Sequence, residues 1–188
     1  MGLCCKLFTV VLTIIFFLGI IALVLYLIVR PSEVNSHVEA ASLAKFDLTN
    51  TTLAYNLTVD LSIRNPNKKV SIYYNRILVS ASYEGDRFGF DDSQPKFIQG
   101  HKNTTVIHPA FAGLQSITST GGSMTNQYEK EKGEGYFNIE MIVDLKVKYK
   151  ALRFKTPTTE PKIKCSLRIP APSSGNKFSR TQCHVNFF

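Results

Sequence analysis

Two hydrophobic patterns divide this chain. From Leu7 to Val29 no residue carries a charge, and Lys6 and Arg30 bracket the run. At about 1.5 Å per residue a helix over it reaches roughly 34 Å, enough to cross a hydrocarbon core of about 30 Å with some tilt. A cleaved secretion signal is the competing reading, but its apolar core is about 7 to 15 residues long and leads into a small-residue cut site. Tyr26, Leu27, Ile28, Val29, Arg30 and Pro31 offer no such site. The pattern predicts an uncleaved signal-anchor helix over 7–29, a tail over 1–6, and the rest of the chain on one side of a membrane.

Farther along, the period becomes two. Leu53, Tyr55, Leu57, Val59, Leu61 and Ile63 alternate with Ala54, Asn56, Thr58, Asp60, Ser62 and Arg64, as in a strand with one buried face. The turn formers Asn65-Pro66-Asn67-Lys68-Lys69 stop that run, and a second alternation follows in Ile77, Val79, Ala81 and Tyr83. Phe137 to Tyr149, and then Ile163, Cys165, Leu167 and Ile169, repeat the habit. Ser36 with Glu39 fits a capping box ahead of Ala40, Ala41, Leu43 and Ala44, yet the same residues fit a half-exposed strand, and propensity does not decide. Thr118 to Gly135, rich in Gly, Ser, Thr and charge, reads as a long loop. Short antiparallel strands without a helical period predict an all-β fold, a β-sandwich around one core. The expected organisation is a tail over 1–6, a span over 7–29, a connector over 30–45 that holds either the short helix or a first strand, and the sandwich over 46–188.

Which side of the membrane the sandwich occupies is barely addressed by flanking charge. Lys6 and the terminal amine stand against Arg30 and the more distant Lys45. Sequons at Asn50, Asn56 and Asn103 are glycosylation signals that matter only in a secretory compartment, although a chain this rich in Asn, Ser and Thr carries one or two by chance. Cys165 and Cys183, alone in the C-terminal part, fit a single disulfide, with two buried thiols as the alternative. Together these features place the tail in the cytosol and the domain outside. Cys4 and Cys5 beside the bilayer are S-palmitoylation candidates, or idle thiols. Lys6 stands where a myristoylation signal on Gly2 would want Ser or Thr.

Catalytic patterns are missing. His37, His101, His108 and His184 are scattered without ligand spacing beyond the loose pair His101 and His108, and neither a nucleophile elbow nor a phosphate-cradling loop is present. Asp91-Asp92 and Glu129 with Glu131 lie in loop-like sequence. No enzyme, cofactor or metal is expected. The charge is more telling, with 22 Lys and Arg against 14 acids and a net charge of +8. Lys146, Lys148, Lys150, Arg153, Lys155, Lys162, Lys164 and Arg168 concentrate on the outward faces of two strands and their connection. Such a face either merely solubilises the domain or attracts polyanions or acidic lipid head groups. An exterior location argues against nucleic acid as a partner. A tail of six residues would pass a message inward only through another membrane protein.

Two blocks carry a family resemblance. Arg64-Asn65-Pro66-Asn67-Lys68-Lys69-Val70, running on to Ile72-Tyr73-Tyr74, resembles the N-P-N-basic-basic and Y-Y-D signature of plant harpin-induced-like and non-race-specific disease resistance-like membrane proteins. Phe97-Ile98-Gln99-Gly100-His101-Lys102-Asn103-Thr104-Thr105 is similar to their F-Y-Q-G-H-K-N-T stretch. Ser71, Asn75 and Ile98 depart from the usual Gly, Asp and Tyr. The resemblance implies a late embryogenesis abundant type 2 domain with an Ig- or fibronectin III-like sandwich, and a strand over Val38 to Leu43. It also implies a plasma-membrane location and a part in pathogen responses, including hypersensitive cell death. The domain's stress-protein name raises a second function, a lipid-binding or membrane-stabilising module with an apolar cleft between its sheets.

Overall fold

The computed structural model describes residues 3–29, 32–49, 51–116, 122–151, 154–172 and 174–186. They fall into two units, Met1–Ser32 and Glu33–Phe188. The first holds helix α1, Leu3–Val29, whose stretch Lys6–Val24 has a mean hydropathy of 3.0 and exposed side chains. It is long and apolar enough to cross a membrane.

The second unit is nearly all strand. Its elements are β1 (Asn35–Thr49), β2 (Thr52–Arg64), β3 (Val70–Tyr83), β4 (Asp86–Asp91), β5 (Phe97–Gln99), β6 (Thr104–Ile107), β7 (Ala110–Ser116), α2 (Gly122–Glu134), β8 (Tyr136–Ala151), β9 (Phe154–Lys155), β10 (Lys162–Pro170) and β11 (Thr181–Asn186). Hydrogen bonding runs β4-β3-β8-β10-β11-β1-β2-β6, while β5 joins β3, β7 joins β2 and β9 joins β8. All pairings are antiparallel. The path folds into two layers, one built on β1 and β2, the other on β3, β8 and β10. The short strand β11 pairs with both β1 and β10.

The layers meet through their apolar faces. Leu53, Leu57, Val59, Leu61 and Ile63 of β2 are buried, as are Phe137, Ile139, Met141, Val143, Leu145, Val147 and Tyr149 of β8, so both alternations point inward. Phe46 of β1 lies 4.6 Å from the Phe137 ring of β8 and 5.2 Å from the Tyr83 ring of β3, which locates one end of the core. Cys165 of β10 and Cys183 of β11 form a disulfide that closes a loop of 18 residues, worth about 3 kcal/mol by loop entropy. It clamps the strand that joins the layers.

Three departures from the sequence pattern have physical causes. Residues 36–44 are strand, and register shifts between Val38 and Ala40 and between Leu43 and Lys45 space the buried positions as Val38, Ala41, Leu43 and Phe46. Intervals of three, two and three imitate a helix. A shift between Tyr74 and Arg76 likewise moves the buried face of β3 from Val70, Ile72 and Tyr74 to Ile77, Val79, Ala81 and Tyr83, so a period-two search finds only its second half. Most of the expected loop over 118–135 is instead helix α2. Met124, Tyr128 and Glu131 are its buried positions, and one of the three is a carboxylate, so hydropathy gives no helical signal. Glu131 accepts from the Tyr83 hydroxyl at 3.0 Å, the Gln127 amide at 3.0 Å and the Asn138 backbone N–H at 3.2 Å. Tyr128 stacks on Phe137 and donates to the Phe46 carbonyl at 3.0 Å. Gly135, with φ +78°, ends the helix where a side chain would be strained.

Candidate functional site

The two sequence blocks meet at one corner of the domain. Residues 65–69 carry the chain from β2 in one layer to β3 in the other, and the loop between β5 and β6 lies against them. At their centre Asn65 is fully buried. Its Nδ2 donates to the carbonyls of Val70 at 2.8 Å and Gly100 at 2.9 Å, while its Oδ1 accepts from the Asn67 backbone N–H at 3.0 Å and the Asn67 amide at 2.9 Å. The backbone joins in, with the Asn65 N–H donating to the Asn103 carbonyl at 2.9 Å and the Lys102 N–H to the Asn67 carbonyl at 3.1 Å. An amide side chain alone supplies two donors and two acceptor sites in this compass, which explains Asn at position 65.

Beside it Gln99, also fully buried, ties three strands together. Its Nε2 donates to the Ile63 carbonyl at 2.7 Å and to Thr105 Oγ1 at 3.2 Å, and its Oε1 accepts from the Tyr74 hydroxyl at 3.2 Å. Burial, helped by nearby Tyr149, pushes the Tyr74 phenol above its ordinary range, so it stays a neutral donor. Phe97 stacks on the Tyr74 ring at 4.5 Å. Asn65 and Tyr74 therefore build the corner, whereas Lys68 and Lys69 stand exposed on it. Pro66 is half-buried in the crossing. Gln99 and Thr105 were legible only as members of the second block, because nothing local links them to Asn65.

The cations do not form one uniform face. Lys146 pairs with Glu160 at 2.9 Å, Lys162 with Asp144 at 3.0 Å, and Arg168 approaches Glu134 at 3.7 Å while lying over the Tyr136 ring. Lys148, Lys150 and Lys155 make no ion pair among the described residues, and Lys155 lies 5.3 Å from the Tyr73 ring centre. In the ladder Lys150 is opposite both Ser71 and Lys155, and Lys148 is opposite Tyr73. Arg153 and sequon Asn50 lie outside the described residues, as do the side chains of Cys4 and Cys5. Asn56 and Asn103 are exposed, so a glycan at either would stand clear of the core.

Elsewhere the polar groups are tied into the fold. Hydrogen bonds from Ser62 and Arg180, assisted by the Arg180 charge, hold the Glu39 carboxyl below its ordinary range. Burial pushes the Asp91 carboxyl up, but hydrogen bonds from Ser93, Gln94 and Ala110 outweigh that and hold it low. His108 and Asp60 approach to 2.6 Å on the open surface. Among the described residues, no group of three or more His, Cys, Asp and Glu could hold a metal ion. Surface clefts of about 370 and 340 Å³ are lined by charged residues such as Glu84, Glu140 and Arg168, or Arg76, Asp144 and Lys162. The side chains between the layers are packed to a few per cent exposure or less.

Comparison with known proteins converges on one family. The model of the late embryogenesis abundant protein family matches residues 60–165, which include both blocks of the corner. NDR1/HIN1-like protein 3 of Arabidopsis thaliana is 39% identical over 184 residues, covering 96% of this chain and 79% of that protein. NDR1/HIN1-like protein 10 of the same plant is 40% identical over 168 residues, covering 88% and 73%. The crystal structure of a protein from Archaeoglobus fulgidus is similar at a TM-score of 0.29 and 10% identity, over 69% of this chain and 96% of that one, which is too slight to bear on the fold.

Proposed function

This chain belongs to the NDR1/HIN1-like family of late embryogenesis abundant proteins, and from that membership we propose that it is a non-enzymatic, plasma-membrane-anchored module of plant defence or stress signalling. The N-terminal helix is the anchor, the residues before it are cytosolic, and the β domain, an Ig- or fibronectin-like sandwich in this reading, stands outside the cell. There it contacts acidic wall polysaccharide or a partner protein through its lysines. The observation that carries the proposal is the group Lys148, Lys150 and Lys155, which no carboxylate among the described residues neutralises. Single exposed charges attract a polyanion weakly, but several on a membrane-held domain act together. The test is retention of the full chain, in non-ionic detergent, on immobilised polygalacturonate. Retention at 0.05 M salt with elution by 1 M, where the screening length shrinks to about 3 Å, supports the proposal. Indifference to ionic strength counts against it.

The lipid-binding alternative needs an apolar cleft between the layers. The packed inner faces give it no support, and extraction of lipid by the purified protein would be needed to revive it.

A further inference from the structure

Sequence presents the family motif and the basic strand as separate features, but the fold makes them neighbours. Lys150 is opposite Ser71 in the ladder, and Ser71 Oγ lies 3.5 Å from His101 Nε2. His101 precedes Lys102, whose backbone N–H bonds the Asn67 carbonyl immediately before Lys68 and Lys69. The exposed corner cations Lys68, Lys69 and Lys102 thus continue the row of Lys148, Lys150 and Lys155. From strand rise and strand spacing the combined strip is on the order of 20 Å long.

The two crossing stretches carry no acid of their own. No Asp or Glu occurs between Asp60 and Glu84 or between Asp92 and Glu129, the two stretches that build the corner. None of Lys68, Lys69 and Lys102 makes an ion pair among the described residues. The groups interleaved with these cations are Ser71, His101 and Thr104, which offer hydrogen bonds to hydroxyls and carboxylates. A surface built to enter a bilayer pairs its cations with several large apolar side chains. Ile98, opposite Tyr73, is the exposed large hydrophobic residue found within this strip among the described residues.

We infer that the corner and the strand face are one docking surface for a linear acidic polysaccharide, which crosses from Lys148 over Ser71 and His101 to Lys68, Lys69 and Lys102. The inference rests on the polyanion-contact reading above and deepens it, because it assigns a ligand-contacting role to the exposed lysines of the family motif while Asn65 and Gln99 hold the backbone beneath them.

The test measures binding of the full chain in non-ionic detergent to polygalacturonate. It compares the wild type with a corner triple variant (Lys68→Glu, Lys69→Glu, Lys102→Glu), a face triple variant (Lys148→Glu, Lys150→Glu, Lys155→Glu) and a control (Lys45→Glu, Lys130→Glu, Lys177→Glu) that changes net charge equally on other exposed positions. Thermal unfolding within 2 °C of wild type shows that a variant has folded, and a single Lys102→Glu substitution substitutes for a corner triple that fails this check. The expected result is at least tenfold weaker binding for the corner and face variants, and less than threefold for the control. Loss confined to the face variant overturns the inference but leaves the proposed function standing, whereas equal loss in all three reduces it to net charge. Absence of wild-type binding overturns both. Binding to vesicles of phosphatidylserine and phosphatidylcholine, with none to polygalacturonate, overturns the inference in favour of a lipid surface.

Discussion

Replacing Asn65 by alanine removes four hydrogen bonds at a buried corner where two sequence blocks and both layers meet. At about 1 kcal/mol net for each bond the loss is about 4 kcal/mol, falling toward about 2 kcal/mol where water refills the space. For a domain of this size each kcal/mol shifts Tm by about 2 to 4 °C, so Tm should drop by about 4 to 16 °C. Asn65→Asp is the sharper variant. It keeps the shape and the acceptor, but sets a carboxylate oxygen against the carbonyls of Val70 and Gly100, and it should destabilise at least as much as alanine. The assay is thermal unfolding of the full chain in detergent, followed by the near-ultraviolet circular dichroism of its tyrosines, with exposed Asn126→Ala as control. A drop below 2 °C for both Asn65 variants would refute the view that this asparagine holds the corner.

Removing the disulfide in a Cys165→Ala, Cys183→Ala variant should cost about 3 kcal/mol, and a reductant should lower the wild-type Tm without moving the variant's. Tyr128→Phe should cost about 1 kcal/mol, the net value of the bond to the Phe46 carbonyl, whereas Tyr128→Ala also loses the stacked ring and should cost about 3 to 5 kcal/mol, read by unfolding and by faster amide exchange across α2. Glu39 and Asp91 have folded-state values below their ordinary ones, so their stabilisation is present above about pH 5 and is lost as pH falls through the lowered values. Tm should be level from about pH 7 to 5 and fall below about pH 4, less steeply in Glu39→Gln, as scanning calorimetry would record.

Legibility in the sequence followed the regularity of the backbone. Strands β2, β8 and β10 keep an unbroken alternation in the residues that define their inner faces, and could be placed from it. In β1 and β3 one extra residue at each register shift moves the apolar positions to the other parity, so a correct strand looks like a helix or like half a strand. Helix α2 escaped because a carboxylate sits where hydropathy demands an apolar residue, and its partners Tyr83, Gln127 and Asn138 make that burial tolerable. The corner was visible as two motifs, but the contact that unites them spans 35 residues between Asn65 and Gly100, a separation no local pattern crosses. Lys146 and Lys148 look alike in a count of charges. Only the structure separates Lys146, held by Glu160, from Lys148, which has no such partner among the described residues.

Whether the β domain faces the outside of the cell is the point on which the functional account turns. Protease added to protoplasts of a plant expressing the chain with a small epitope after Phe188 tests it directly. The epitope should disappear from intact protoplasts while a cytosolic marker survives. An epitope that persists until the plasma membrane is permeabilised would put the lysine strip out of reach of the wall and contradict the account.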